Sequence, residues 1–322
     1  MSIASALKEF EGARVLVIGD IILDIYIYGS VDRISPEAPI PILNHKNTRH
    51  ALGGAANVAA NLRGLGADVH LVSITGEDDE ADFLTTMLDL EEIQHDLIRL
   101  KNRPTTSKSR VISGAHQLLR IDHETTLEID AQESDLLSAK IKEVIHHFQP
   151  AILVLEDYNK GMMNSTIIAH LNQLAASIGI PVVVDPKKNH FFDYKGCTLF
   201  KPNFKECAQQ MPFAITPDLE SLKEADRYLR GILKNKYTMI TLAEHGIYIS
   251  DGEKSLIAPT EIRKVSDVSG AGDTVTAIAT FGVIQSLSLE SIASLANIAA
   301  GLVCSKPGVY AIHKEELIQN NN

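Results

Sequence analysis

The sequence predicts a three-layer α/β fold: a mainly parallel sheet flanked by helices, with a small β-lid standing off it. Three observations carry that expectation. Short, continuously apolar runs recur along the 322 residues. Segments with helical spacing of apolar residues separate many of these runs. Two further stretches alternate apolar and polar residues, the period of half-exposed strands. Strand, helix, strand at this spacing makes βαβ units, and a parallel sheet built from them is covered on both faces.

The first apolar run, RVLVIGD (14–20), is expected to be a buried strand. The segment 24–52, DIYIYGSVDRISPEAPIPILNHKNTRHAL, alternates and offers no helix of normal length, so it is expected to project as part of the lid. In LGGAANVAANLRGLG (52–66), Gly53 and Gly54 precede a helix with Val58, Leu62 and Leu65 on one face. DVHLVSITG (68–76) is the next strand, and RPTTSKSRVISGAHQLLRID (103–122) the second lid segment. Residues 134–148 place Leu137, Ile141, Val144, Ile145 and Phe148 on one helical face, ahead of the strand PAILVLED (150–157). Residues 164–178 do the same with Ile167, Leu171, Leu174 and Ile178, ahead of IPVVVDP (180–186). CTLFKPN (197–203) and YTMITLAEHG (237–246) complete the parallel set, and YISDGEKSLIAP forms a hairpin-like pair around Asp251-Gly252. No linker, low-complexity tract or repeat interrupts the chain, so one domain over 1–322 is expected, with the lid segments inserted.

Composition narrows the function. Lys plus Arg number 30 and Asp plus Glu 41, a net charge of −11, which disfavours nonspecific binding to nucleic acid or to a membrane surface. A local basic pocket for a small anion is still compatible with it. Tryptophan is absent and aromatics are 5%, so stacking platforms for bases or sugars are not expected. No stretch approaches about 18 apolar residues, and the first apolar run is too short for a signal peptide. Cys197, Cys207 and Cys304 form no CxxC pair and fit reduced thiols in the cytoplasm. The histidines, His146-His147 included, form no ligand-like group with carboxylates.

The apolar runs end in Asp20, Asp157, Asp185, Lys201 with Asn203, and Glu244. Ligands of open parallel sheets bind at the carboxyl ends of strands, so these polar endings point to an active-site rim. DVSGAGD (267–273) opens a long apolar helix, TVTAIATFGVIQSL. Unpaired N–H groups at a helix start carry partial positive charge, and Gly270, Ala271 and Gly272 let an anion approach them. Asp273 beside such a cradle suits a general base for an attacking hydroxyl; the alternative is an N-cap aspartate after a glycine-rich turn. Asn57, on the first turn after Gly53-Gly54, offers donor and acceptor to a hydroxylated ligand, or else marks a helix start packed closely on a strand. No GxxxxGK[ST] loop occurs and no GxGxxG follows the first strand.

GGAANVA followed far downstream by DVSGAGD resembles the two signatures of the ribokinase-type (PfkB) sugar kinase family. GDIILD (19–24), DPK (185–187), KPNFKE (201–206), TLAEHG (241–246) and ANIAAG (296–301) fall in that family's order, so the resemblance covers nearly the whole chain. Within the family, GDIILDIYIYGSVDRISPEAPIPIL, TTSKSRVIS and EDYNKG (156–161) are similar to kinases of D-glycero-β-D-manno-heptose 7-phosphate. Such a kinase is often the first half of a bifunctional protein. With the chain ending at residue 322, a stand-alone kinase is the expectation.

The resemblance implies a ribokinase-like fold and ATP with Mg2+. It makes Asp273 the base and Gly270, Ala271 and Gly272 the anion hole. Asp24, Gly53, Gly54, Asn57 and Asp157 fall on the sugar side, and Lys187, Thr241, Gly246 and Asn297 on the nucleotide side. Asn203 and Glu206 match the NxxE pair that organises magnesium through water. The family's monovalent cation, K+, would lie around Asp267, Val268 and Gly308. Three departures stand out: Ser269 in place of Thr, Lys201 in place of Thr, and SKPGVYA (305–311) in place of a Gly-Thr ending. Lys108 and Arg110 share a strand face and, with Arg33 and Arg120, are expected to grip a phosphate on the substrate; the alternative is a solvated face. A homodimer is expected, in which two lids pair and cover each other's strand edges. The rival readings are a kinase of another sugar, sugar phosphate or nucleoside, and a non-catalytic regulator.

Overall fold

The computed structural model describes residues 3–114, 116–260 and 266–320. In chain order its strands are β1 (Arg14–Gly19), β2 (Ile21–Ile34), β3 (Pro41–Gly54), β4 (Asp68–Gly76), β5 (Gln94–Leu100), β6 (Ser107–Ser113), β7 (His116–His123), β8 (Ile152–Glu156), β9 (Val182–Asp185), β10 (Leu199–Phe200), β11 (Tyr237–Thr241), β12 (Ile247–Ser250) and β13 (Ser255–Ala258). Nine of them form one sheet in the order β13-β12-β11-β10-β9-β8-β1-β4-β5. Pairing is parallel from β11 to β5, and the β11–β12–β13 edge is antiparallel.

Alternate residues of the central strands feed two cores. Val15 and Val17 of β1 pack with the helices Ala55–Gly64, Ala271–Ile284 and Leu289–Cys304 on one face. Leu16 and Ile18 pack with Ala131–Phe148, Ser165–Ile178 and Leu219–Leu233 on the other. A strand buried on both faces needs apolar residues without alternation, which is why RVLVIG and ILVLE read as continuous runs. The two predicted helices at 134–148 and 164–178 occur with three residues added in front of the first, where Asp130 and Glu133 form a capping box.

The strand order reverses at β1, which has β4 on one side and β8 on the other. That makes the carboxyl ends of β1 and β8 the switch point of the sheet, where a crevice opens. Asp20, Glu156, Asp157 and, one strand on, Asp185 lie there.

The lid is a second sheet, ordered β3-β2-β6-β7. Its strand β2 continues directly from β1 through Asp20, so the lid is an outgrowth of the crevice edge. The 305–311 segment holds its base. Tyr26 is fully buried and its hydroxyl accepts from the Val309 amide at 2.9 Å, while Arg49 donates to the Pro307 and Val309 carbonyls at 3.0 Å each.

Three expectations change. The strand at 237–246 ends at Thr241, because Ala243 (φ 52°) and Gly246 (φ 91°) turn the chain back into antiparallel β12. Glu244 is therefore an exposed turn residue and not a strand ending. The edge strand β5, QHDLIRL, was not among the expected strands, since its half-exposed residues break any apolar run. Cys197 and Cys207 are buried and Cys304 is half-buried, all three free thiols. Among the described residues, no helix is long and apolar enough to cross a membrane.

Candidate active site

Asp273 lies in the first turn of the helix Ala271–Ile284, 6% exposed. Its two carboxylate oxygens take different donors. Asn57 Nδ2 donates to Oδ2 at 2.7 Å, and the Tyr158 hydroxyl donates to Oδ1. Gly270, the N-cap of this helix, is left-handed (φ 81°), and a Cβ there would lie 2.6 Å from Asn57 Nδ2. Glycine is thus what lets the helix start and Asn57 meet.

Asn57 is itself fixed. Asn61, one turn on, donates to the Asn57 carbonyl at 2.7 Å and to its Oδ1 at 3.1 Å. Asn61 Oδ1 accepts from Thr274 Oγ1 at 2.8 Å and from the Ile312 amide at 3.1 Å. The two glycine-led helices are therefore cross-linked by buried amide side chains, which orders the centre.

Burial raises the Asp273 carboxyl to about 6; the Tyr158 and Asn57 hydrogen bonds and Lys201 pull it down, and Asp185 pushes it up. The same cleft holds Glu156 and Asp185. Oxygens of Glu156, Asp185 and Asp273 lie within 4.8 Å of one another, and all three residues are buried. Both Glu156 oxygens are buried without a hydrogen-bond partner among the described residues. Burial first, then Asp185 and Asp273, push the Glu156 carboxyl well above its ordinary value. Two lysines offset this charge. Lys201, 2% exposed, reaches Asp185 Oδ2 at 2.9 Å. Lys187 pairs with Glu206 at 2.7 Å and approaches Asp185 Oδ1 at 3.8 Å.

Asn203 and Glu206 form a reciprocal capping box on the helix Phe204–Gln210: Asn203 Oδ1 accepts from the Glu206 amide at 2.8 Å, and Glu206 Oε2 from the Asn203 amide at 2.9 Å. Thr241 pairs with Asn203 across the strand ends. At the base of the lid, Asp24 is buried and ion-paired with Arg110. Burial raises its carboxyl even against the Arg110 charge. Gly53 lies beside it, and a Cβ there would fall 2.2 Å from Asp24 Oδ2.

The predicted residues therefore divide. Asn57, Asp273, Lys187, Glu206, Asn203 and Thr241 lie along one continuous line of contacts, joined through Tyr158, whose ring carries the Lys187 ammonium 5.1 Å from its centre. Asp157 does not point into this line. Its oxygens accept from the Asn159 amide at 2.7 Å and the Tyr194 hydroxyl at 2.9 Å, so it holds its own turn. Asn297 donates to the Ala258 and Pro259 carbonyls at 2.9 and 3.2 Å. Gly246 closes on the same Ala258 carbonyl, 2.0 Å from where its Cβ would be. Gly54 is left-handed and opens the helix of Asn57. Asp267 accepts from the Ser269 amide at 2.9 Å, and the Val268 carbonyl accepts from Ala271 at 3.3 Å, with the Val268 side chain exposed. Lys108, Arg110 and Arg120 cluster on the inner lid face, but each is ion-paired, with Asp122 and Glu124, with Asp24, and with Asp122 respectively. Arg33 stands apart, exposed toward the outer end of β2 opposite Ile42.

Glu156 and Tyr158 were not expected from the sequence. Neighbouring acids at a strand end point to opposite faces, so the pair Glu156-Asp157 carried a signal that only one of them could enter the cleft.

The profile of the family described as "pfkB family carbohydrate kinase" matches residues 13–316. The chain belongs to the pfkB family of carbohydrate kinases. As a pfkB kinase it is an ATP-dependent sugar kinase, and the family works with ATP and a divalent metal. The chain is 39% identical over 306 residues to a "Bifunctional protein HldE" of Methylobacillus flagellatus, covering 95% of this chain and 62% of that protein. It is 40% identical over 316 residues to the protein of the same name in Azorhizobium caulinodans, covering 97% of this chain and 65% of that one. The chain thus spans less than two thirds of the length of these relatives. Its fold is similar to that of Escherichia coli phosphofructokinase-2 solved in complex with potassium, with a TM-score of 0.79 at 19% identity, covering 96% and 98% of the two chains. It is likewise similar to Arabidopsis thaliana ribokinase solved with ribose and ATP, with a TM-score of 0.74 at 18% identity and the same coverage.

A base must be ionised to accept a proton, and the Asp273 carboxyl lies at about 6. Below that pH, kcat/KM for sugar phosphorylation should fall about tenfold per unit, because the ionised fraction does. A pH–rate profile still flat at pH 5 would remove Asp273 from the role.

Proposed function

We propose that this chain transfers the γ-phosphate of ATP to the anomeric hydroxyl of D-glycero-β-D-manno-heptose 7-phosphate. The product is the 1,7-bisphosphate, an intermediate for ADP-heptose and the lipopolysaccharide core. The observation that carries this reading is the buried Asp273 carboxylate, held from two sides at a helix N-terminus, with the ion-paired Lys108, Arg110 and Arg120 of the lid around Asp24. Asp273 takes the hydroxyl proton while the sugar oxygen forms its bond to the γ-phosphorus and the bond to ADP breaks. The amides of 270–273 stabilise the charge that develops on the transferred group.

The residues present fit a magnesium ion. Glu156 offers two partnerless oxygens, and carboxylates are the hard donors such an ion takes. Both Asp273 oxygens already accept hydrogen bonds, so Asp185 and Glu156, with Asn203 and Glu206 through water, would hold the ion on the nucleotide side. When bound, it neutralises charge on the phosphates. A K+ ion would lie at the Asp267–Val268 turn, beside the anion hole. The enzyme works in the cytoplasm, where its three thiols stay reduced.

In the lid, Arg110 bonds through Nη1 to Asp24, and its remaining N–H groups suit the 7-phosphate. One observation favours a second reading, a kinase of an unphosphorylated sugar: Lys108, Arg110 and Arg120 are already ion-paired within the protein. The outer face of the lid differs from the inner one. Leu119 and Ile121 on β7 are 55% and 52% exposed, on the face shared with Val111 and Ile27. Ile34 and Ile40 at the tip are 59% and 56% exposed. A second copy of the chain, presenting the same face, would cover this apolar surface.

Incubation with ATP and a panel of sugar phosphates, read by phosphorus NMR, should give a new anomeric phosphate on heptose 7-phosphate. Arg110→Ala should lower the kcat/KM ratio of phosphorylated to unphosphorylated heptose by roughly 10–150-fold, the worth of one charge-assisted contact. Some loss on both sugars is expected, because Asp24 loses its partner. An unchanged ratio would make Arg110 a support of Asp24 alone. A wild-type preference for the unphosphorylated sugar would hand the case to the second reading.

Light scattering at micromolar concentration should give a dimer, 2 × 35.2 kDa. A 35.2 kDa particle would end the lid-pairing proposal.

A further inference from the structure

The turn that carries Tyr158 is built to hold that residue still. Asp20 Oδ2 accepts from the Tyr158 and Lys160 amides at 2.8 and 3.1 Å. Asp157 ties down the Asn159 amide and is itself held by Tyr194. Asn159 is left-handed at φ 53°, and Gly161, at φ 87°, runs so close to Leu127 that a Cβ would lie 1.9 Å from the Leu127 carbonyl oxygen. What this fixed turn presents to the centre is one hydroxyl, donated to Asp273 Oδ1. Burial first, then Asp273, push the Tyr158 phenol well above its ordinary value, so it remains a donor.

A carboxylate held through one oxygen can still swing about its last torsion. A donor on each oxygen removes that freedom, and Asn57 and Tyr158 occupy one oxygen each. The Tyr158 ring also meets the nucleotide side, since Lys187 sits over it and pairs with Glu206.

We propose that Tyr158 is a positioning residue for phosphoryl transfer: its hydroxyl fixes the orientation of the Asp273 carboxylate, and its ring ties that orientation to Lys187 across the cleft. The proposal rests on the reading of Asp273 as the base. Tyr158→Phe isolates the contact, because the ring and its cation–π partner stay and only the hydroxyl goes.

The test places Tyr158→Phe in the wild-type and the Asp273→Asn backgrounds. In each, kcat and both KM values are measured with ATP and heptose 7-phosphate, and the Tyr158→Phe protein is crystallised. In the wild-type background kcat should fall about 10–100-fold with both KM values within about threefold, as for a misplaced catalytic group. In the Asp273→Asn background the further loss should stay below about twofold, because Tyr158 acts through Asp273. Equal losses in both backgrounds, or a loss carried by KM, overturn the proposal. In the crystal, the Asp273 carboxylate should have turned from its present orientation; an unmoved carboxylate overturns the proposal whatever the rates. A wild-type protein that phosphorylates no sugar of the panel refutes the kinase substrate reading instead, and the crystal comparison then decides on Tyr158 by itself.

Discussion

A carboxylate buried at the start of a helix and gripped by two donors is what the rest of this structure serves. A buried charge is tolerated only where hydrogen bonds and opposite charges replace the lost water. Asp273 has Asn57 on one oxygen and Tyr158 on the other, with the helix amides beneath it. Each donor reaches it because a different part of the fold puts it there. Asn57 comes from the helix behind Gly53-Gly54, and Tyr158 from the turn after β8. The reversal of strand order at β1 brings those two parts to one crevice.

Charge balance in the crevice follows from the same constraint. Three carboxylates within 4.8 Å of one another cannot all ionise in a buried site without compensation. Lys201 and Lys187 flank Asp185, and the Glu156 carboxyl is shifted toward its protonated form. Lys201, a departure from the residue expected at its position, thereby has a physical role: it offsets the charge of buried Asp185. The departure at 305–311 also acquires one. That segment anchors Tyr26 and Arg49 and so fixes the base of the lid.

Much of this was legible in the sequence because its signals are local. Continuous apolar runs gave β1, β4 and β8, and the glycine pairs marked the two helix starts that meet at Asn57 and Asp273. What escaped was set by tertiary context. β5 escaped since an edge strand with half-exposed residues has no apolar run to detect. Asp157 was read as facing the ligand, but its side chain closes its own turn, and the neighbouring Glu156 and Tyr158 face the centre instead. Nothing in EDYN, taken alone, says that Asp20 would lock the turn from another strand end. Of the four basic lid residues, Arg33 stands apart at the outer end of β2, and Lys108, Arg110 and Arg120 meet the acids Asp24, Asp122 and Glu124 from β2, β7 and the loop beyond it, so the group is neutral where a free anion site was expected.

The central claim is that the Asp273 carboxylate removes the proton of the attacking hydroxyl. Asp273→Asn tests it most directly, since the amide keeps the size of the side chain and an oxygen for Tyr158 while losing basicity and setting its NH2 against that of Asn57. The account predicts a fall in kcat of about 10²–10⁴-fold, with ATP affinity unchanged. A variant that keeps more than about a third of the wild-type kcat, against that expected loss, would contradict it.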